Sequence, residues 1–323
     1  GWGGNRDDVA KAIKPGENDP ELSFIDRGKS DKNVMPYEMA NFVTDETDYA
    51  IVVRYGGDME LLKTMIASGY PVLIEKGYYE RDYTGKVAWL GHYLFVTGYD
   101  EGEGVFIVQD AYLETGDNGT GANIRVPYDE FEDGWRGFNY LFMLIYPPEQ
   151  EQDVFRLLGP WGDDSWANRH ALDIANEEIG TQTGIDEFFA WFNKGTSHVE
   201  LFEYVDAAFA YDYAFVLYAG IGEPNEAETV ETQRPYRIMC YQTGPYWAYY
   251  YSGRYRDVID LANTTLYDTI ADPTLEESIY WRGMAYLALG ETGNAVADFQ
   301  QTVYLNPSFI PGITMLQQLG VEP

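Results

Sequence analysis

At Pro147-Pro148 the hydrophobic pattern of this chain changes its period. Before that point, apolar and β-branched residues come in short runs such as Tyr49-Ala50-Ile51-Val52-Val53-Arg54 and Tyr140-Leu141-Phe142-Met143-Leu144-Ile145-Tyr146, bounded by Gly, Pro and Asp. Runs of that length and composition read as strands. Beyond Val154 the strand signal ends, and small and aromatic residues recur at the spacing of one helix face, as at Ala167, Ala171 and Ala175. Two such patterns imply two cores, and 323 residues are enough to build both. The expected organisation is an α+β domain over residues 1–150 and an all-helical domain over 151–323.

Local signals order the first part. Helices are expected over 7–13 and from 33 to 43, the second with Pro36 in its first turn. Lys14-Pro15-Gly16 and Asp19-Pro20 supply the turns between them. Gly56-Gly57 ends the strand at Arg54, and Asp58 is placed to cap a helix over 59–68. A strand over 71–76 follows, then a Tyr-rich loop over 77–87. The polar stretch 114–120 suits a flexible surface insertion, 123–126 a short strand and 128–135 a helix.

The chemistry is concentrated in two runs, Gly91-His92-Tyr93-Leu94-Phe95-Val96-Thr97-Gly98-Tyr99 and Val105-Phe106-Ile107-Val108-Gln109-Asp110, joined by an acidic turn. They read as a β-hairpin. If Tyr99 faces Val105, then Leu94 faces Asp110, and the two-residue period puts His92 and Asp110 on one face as diagonal neighbours. A carboxylate that holds one imidazole nitrogen leaves the other to take a proton from a nucleophile. The hairpin itself holds no nucleophile. A Gly-rich turn also specifies register weakly, and a lone strand histidine is often structural. Tyr78 and Tyr79, with Trp89 as an aromatic wall, either line a groove for an extended substrate or cover a sheet edge.

Charge narrows the partners. Asp plus Glu number 53 against 21 Lys plus Arg, a net charge of −32, so a nucleic-acid partner is not expected and an anionic membrane would be repelled. An apolar fraction of 45% nevertheless requires a folded chain with its charge spread over the surface. No run of eighteen apolar residues exists to span a bilayer. The opening Gly1-Trp2-Gly3-Gly4 lacks an initiator Met and a signal pattern, so the chain reads as a processed or partial product, and its address, including secretion or surface attachment, is expected in the missing part. The oligomeric state is not legible.

Cys240 alone cannot build a disulfide framework or a cysteine-rich metal site. It sits between Met239 and Tyr241 as a small buried residue would. His170 and His198 belong to separate helical stretches, so these three residues are not expected to converge on a metal. Asp117-Asn118-Gly119 lacks the spacing of a calcium loop. No metal or organic cofactor is expected.

The most regular helical stretch, 276–307, carries Trp281, Gly283, Tyr286, Leu289-Gly290, Ala295 and Phe299 before Asn306-Pro307. This is the small–large spacing of a tetratricopeptide repeat (TPR), with Gly283 permitting close helix approach and Phe299 filling between helices. Aligning Phe188, Met239 and Glu276 superposes Gly195, Tyr246 and Gly283, and also Ala207, Val258 and Ala295. The longer first interval is assigned to an acidic inserted loop over 220–234 containing Pro224. Stacked repeats leave a concave face, so a peptide or protein partner is expected.

Residues 2–148 further resemble the C39-like peptidases, of papain-like cysteine-peptidase fold. The stretches that carry the resemblance include Val34-Met35-Pro36-Tyr37-Glu38-Met39, Arg54-Tyr55-Gly56-Gly57-Asp58, Gly69-Tyr70-Pro71-Val72, Gly91-His92-Tyr93-Leu94-Phe95-Val96 and Gln109-Asp110. The resemblance implies that His92 is the catalytic histidine and Asp110 its orienting carboxylate. The family's Cys-Gly-Pro helix start and oxyanion Gln have no counterpart, and Gly1-Trp2-Gly3-Gly4-Asn5 looks like the part that follows that helix. The implied activity is thiol-dependent peptide hydrolysis by a longer chain. The alternatives are a non-catalytic interaction protein on a degenerate peptidase-like domain, and thiol acyl transfer.

Overall fold

The computed structural model describes residues 3–14, 33–81, 87–111, 115–222, 234–270 and 273–323. The expected turns from Pro15 to Pro20, Tyr83, Glu114 and most of the loop around Pro224 lie outside these residues. The chain divides into two compact units, Gly1–Gly3 with Pro36–Pro235, and Gly4–Met35 with Tyr236–Pro323. Helix α1 (Arg6–Ile13) belongs to the second unit, and α2 (Pro36–Glu46), α3 (Met59–Ala67) and α4 (Tyr128–Arg136) to the first.

The first unit is built on strands β1 (Ala50–Arg54), β2 (Val72–Arg81), β3 (Val87–Asp100), β4 (Val105–Gln109), β5 (Ile124–Pro127) and β6 (Phe142–Tyr146). They form one antiparallel sheet in the order β1-β6-β2-β3-β4-β5. Alternate residues along it, among them Val72 and Ile74, Leu94 and Val96, Phe106 and Val108, Phe142 and Leu144, enter one buried cluster. Period-two alternation thus aims one side of every long strand at the same core. Leu62 and Met65 of α3 and Phe131 and Trp135 of α4 complete that core. Asp58 caps α3 as its sequence position implies, its Oδ1 accepting from Leu61 N–H at 2.7 Å.

Residues 77–81 are strand, not the loop expected from their charge and tyrosines. Backbone pairing with β3 runs from Val72↔Val96 to Arg81↔Val87, and tyrosines suit a half-buried strand. The stretch after Asp110 also differs from a flexible insertion. Gly121 N–H donates to Thr115 O and Asp117 N–H to Ala122 O, both at 2.8 Å. Gly116 has φ +67, and a Cβ there would stand 2.3 Å from Ala122 O, so the loop closes tightly on itself.

After β6 only helices follow among the described residues. Helices α5 (Glu151–Leu158), α6 (Asp164–Ile179), α7 (Ile185–Glu200) and α8 (Tyr204–Gly220) belong to the first unit. Secondary structure changes at residues 147–148, but the core does not, because Val154 and Leu158 of α5 lie in the cluster under the sheet. Glu178 of α6 ties the helices to the sheet side, accepting from Arg136 Nε at 3.0 Å and from the Tyr140 hydroxyl at 2.5 Å.

Helices α9 (Gly244–Tyr251), α10 (Tyr255–Thr264), α11 (Glu276–Ala288), α12 (Thr292–Leu305) and α13 (Ile310–Gln318) make up the second unit with α1. A Cβ on Gly283 of α11 would stand 2.8 Å from the Phe299 ring of α12. In the first unit, a Cβ on Gly195 of α7 would stand 2.6 Å from the Tyr211 ring of α8. Each glycine therefore lets a large ring of the next helix reach the helix backbone. Lys14, just after α1, places Nζ 2.8 Å from the fully buried carboxylate of Glu276, which also accepts from Asn306 Nδ2 at 2.9 Å.

Candidate functional site

His92 stands on β3 opposite Lys76 of β2, on the side of the sheet that carries Leu94 and Val96 into the core. Asp110 follows β4, two residues beyond the buried Val108 and with the same parity. The hairpin begins one residue out of the expected register, with Asp100 rather than Tyr99 opposite Val105. A bulge between Val96 and Gly98 absorbs the difference, so Val96 faces Val108 and Phe95 faces Gln109. Carried one residue further, that register sets Leu94 against Asp110, with His92 diagonal to it.

The two side chains meet, with His92 Nε2 2.6 Å from Asp110 Oδ1. An ionised carboxylate only accepts, so Nε2 carries the proton and Nδ1 is the basic nitrogen. Asp110 is itself held from behind: its N–H donates to Gly121 O at 2.7 Å, and Gln109 Nε2 donates to Asn123 Oδ1 at 3.1 Å. The closed 115–123 loop thereby fixes the carboxylate that orients the imidazole. The side chains of His92 and Asp110 are 19% and 14% exposed, enough for contact with solvent along one edge.

Of the residues read as a groove, Tyr78 sets its ring edge-on to His92, with centroids 6.1 Å apart. Tyr79 is partly buried, and burial raises its phenol above the ordinary range. Trp89 is not a wall of any groove. It is 2% exposed, stacked on Phe138 at 5.1 Å and against Phe189 at 5.3 Å, in space left by Gly77, whose Cβ would fall 2.3 Å from the indole.

Sequence reasoning missed Glu75. Its parity is opposite to that of Ile74, it is 2% exposed, and it accepts a hydrogen bond from Tyr93, its cross-strand partner. Burial pushes its carboxyl well above the usual range, and the Tyr93 bond only partly opposes this. One acid inside the apolar run Val72-Leu73-Ile74-Glu75 was the available signal. His170 stacks on Trp166 at 4.8 Å, and Cys240 is buried among Leu266, Leu275 and Ile279. His198, Glu203 and Asp206 bring one donor atom each within 4.8 Å of one another. His198 Nδ1 is 2.8 Å from Glu203 Oε2, and Arg169 donates to Glu203 Oε1 at 3.0 Å, so a cation there would compete with a guanidinium.

Residues 5–143 match the Peptidase_C39 like family. The C39-like domain therefore occupies the amino-terminal part, and an all-α region follows it. A solved structure from Bacillus anthracis, assigned to the C39-like peptidases, is 18% identical, covering 29% of this chain and 50% of its own, with a TM-score of 0.21. The chain thus spans about half the length of that protein. No curated protein matches the chain. The one cysteine of these 323 residues, Cys240, lies outside the C39-like domain.

Proposed function

We propose that these 323 residues act as a non-catalytic protein- or peptide-binding module, in which a C39-like domain is joined to helical pairs of TPR type. The observation that carries this reading is the position of Cys240, outside residues 5–143 and 1% exposed in an apolar cluster. A C39-type reaction needs a thiolate beside the imidazole, and a thiol buried at that distance in the sequence from the C39-like domain is not presented to solvent. The buried glycine–ring contacts at Gly195 and Gly283 support the repeat assignment.

The His92–Asp110 pair favours one second reading. In a longer protein that brings a Cys to Nδ1 of His92, the imidazole would take the thiol proton, the thiolate would add to a peptide carbonyl, and the imidazolium would return the proton to the leaving amine. Asp110 would hold the tautomer and stabilise the imidazolium. Transfer of the acyl group to an amine instead of water would use the same groups.

The test uses this 323-residue chain. A peptidyl vinyl-sulfone thiol probe should label nothing beyond what Cys240→Ser removes, and casein should stay intact. Selection from a random peptide display library should enrich sequences that bind equally well to His92→Ala. Casein cleavage lost in His92→Ala would overturn the binding-module reading, as would failure to enrich any peptide.

A further inference from the structure

On the side of the sheet away from the core cluster, one row of residues is polar. Leu73 of β2 and Met143 of β6 are buried on that side. One rung beyond the Arg54↔Phe142 and Ile74↔Phe142 pairs, it carries Tyr55, just after β1, Glu75 of β2 and, across from Glu75, Tyr93 of β3. Glu75 is the floor of this row at 2% exposure. Its Oε2 has no hydrogen-bond partner, so the bond from Tyr93 goes to Oε1. Tyr55 and Tyr93 are partly exposed, and so are Glu38 of α2 and Glu200 at the end of α7. Solvent thus reaches the rim of the row and not its floor.

The surroundings supply negative charge without a cation. Tyr55 is close to both Glu75 and Glu200, and Tyr93 to Glu38. Asp164 of α6 adds to the charge at Glu200. Arg54, the residue before Tyr55, is already engaged, its Nε donating to Trp161 O at 2.9 Å and its Nη1 lying 3.2 Å from Asp164. Among the described residues neither Glu75 nor Glu200 has an ion-pair partner. Buried acids are ordinarily paired, and burial drives both of these carboxyls toward the neutral form. A buried carboxyl oxygen left without a donor, under a partly exposed acidic rim, is a place for a cation brought from outside.

We propose that Glu75, Tyr55, Tyr93 and Glu200 receive the ammonium group of a lysine side chain on a bound peptide. Ammonium rather than guanidinium follows from the acceptors. A guanidinium pairs with a carboxylate through two parallel bonds, and Tyr93 already occupies one oxygen of Glu75. An ammonium is a point charge with three donors, suited to a single carboxylate oxygen and the phenolic oxygens beside it. Phe95, next after Tyr93 on that side of β3 and 38% exposed, offers an apolar ledge to the methylene stem. The His92–Asp110 pair lies on the opposite side of the sheet and takes no part. This inference rests on the binding-module reading and gives that module a side-chain preference.

The probes are labelled, end-blocked alanine pentapeptides with lysine, arginine or norleucine at the centre. Fluorescence anisotropy at physiological salt should show the lysine peptide binding at least about tenfold more tightly than either of the others. The arginine peptide carries the same charge and so controls for general attraction to a chain of net charge −32. Glu75→Gln, which keeps the shape of the side chain, should remove the lysine preference at unchanged circular dichroism. Tyr93→Phe, which frees Oε1, should let the arginine peptide gain on the lysine one. Glu149→Gln, the loss of one exposed acid elsewhere, should change nothing. Equal binding of the three peptides, or a lysine preference undiminished in Glu75→Gln, would overturn the proposal. If Glu75→Gln does not fold, Glu200→Gln at the rim decides in its place, since an undiminished preference there would overturn the proposal equally. If display-selected peptides show no enrichment of lysine and still bind Glu75→Gln, the module reading stands and this site is excluded. If no peptide is enriched at all, it is the module reading that fails.

Discussion

Phe202, in the turn after α7, has φ +60, and a phenylalanine in this left-handed region costs about 1–2 kcal/mol relative to a residue at ease there. Glycine at the same place loses part of that gain through its freer unfolded chain. Phe202→Gly is therefore expected to stabilise the chain by about 1 kcal/mol, read as a rise of about 2–4 °C in melting temperature. A fall would mean that the Phe202 ring contributes to the fold through its contact with Tyr204. Glu200, at the end of α7, gives a second prediction. Burial, reinforced by repulsion from Asp164, pushes its carboxyl from 4.5 up to about 7. An acid whose folded value is raised favours the fold below its unfolded value and loses that contribution as pH rises through the folded one. Stability should therefore decline between pH 4.5 and about 7 and level off above. Glu200→Gln should flatten part of that decline in melting curves recorded across this range. Glu75 and Glu178, also raised by burial, act in the same direction and leave the remainder.

Among elements, the close approach of α11 and α12 is open to disruption by a single methyl group. Gly283→Ala gains about 1 kcal/mol of helix propensity but drives a Cβ to 2.8 Å from the Phe299 ring and 3.1 Å from Asp298 Cβ. Overpacking of this kind costs about 1–3 kcal/mol, so the net effect should be a loss in denaturant titration. In a Phe299→Leu background, where the ring is gone, the same alanine should become neutral or stabilising. If it costs as much there, the glycine is needed for some other reason. Much at this scale was legible beforehand. The helix expected over 59–68, which ends one residue earlier at Ala67, its Asp58 cap, the strand ending at Tyr146 and the spacing of Gly283 and Phe299 all follow from local chemistry. The extension of β2 through Tyr78 and Tyr79 was not, because the charges within 77–87 mimic a loop until β3 is present to pair with residues 77–81. The His92–Asp110 diagonal was reached through a turn register one residue out, and the bulge at residues 96–98 makes up the difference. No local signal announces such a bulge. The loop that holds Asp110 was equally hidden, since its closure depends on backbone bonds between residues that look merely polar.

At the scale of the whole molecule, the division of residues into compact units does not follow chain order. Helix α1 belongs with α9–α13, and Lys14 is the partner of a carboxylate that is 1% exposed. Removing one partner of a buried ion pair is costly, on the order of 3–5 kcal/mol. Lys14→Met should therefore lower the stability of the second unit strongly, and Glu276→Gln in the same chain should recover much of the loss. A fragment of residues 236–323 should melt below the same helices in the intact chain, because it lacks residues 4–35. Equal melting would show that the amino-terminal segment adds nothing to that unit.

The Lys14–Glu276 pair spans 262 positions of sequence, which has a consequence for the order of events on the ribosome. At about 5–20 residues per second, α1 emerges roughly 10–50 s before the carboxylate that neutralises Lys14 has been made. During that interval the sheet of the first unit can close, while the segment on its amino-terminal side waits for a partner not yet synthesised. The second unit therefore cannot be completed until residues 236–323 have followed residues 4–35 out of the ribosome.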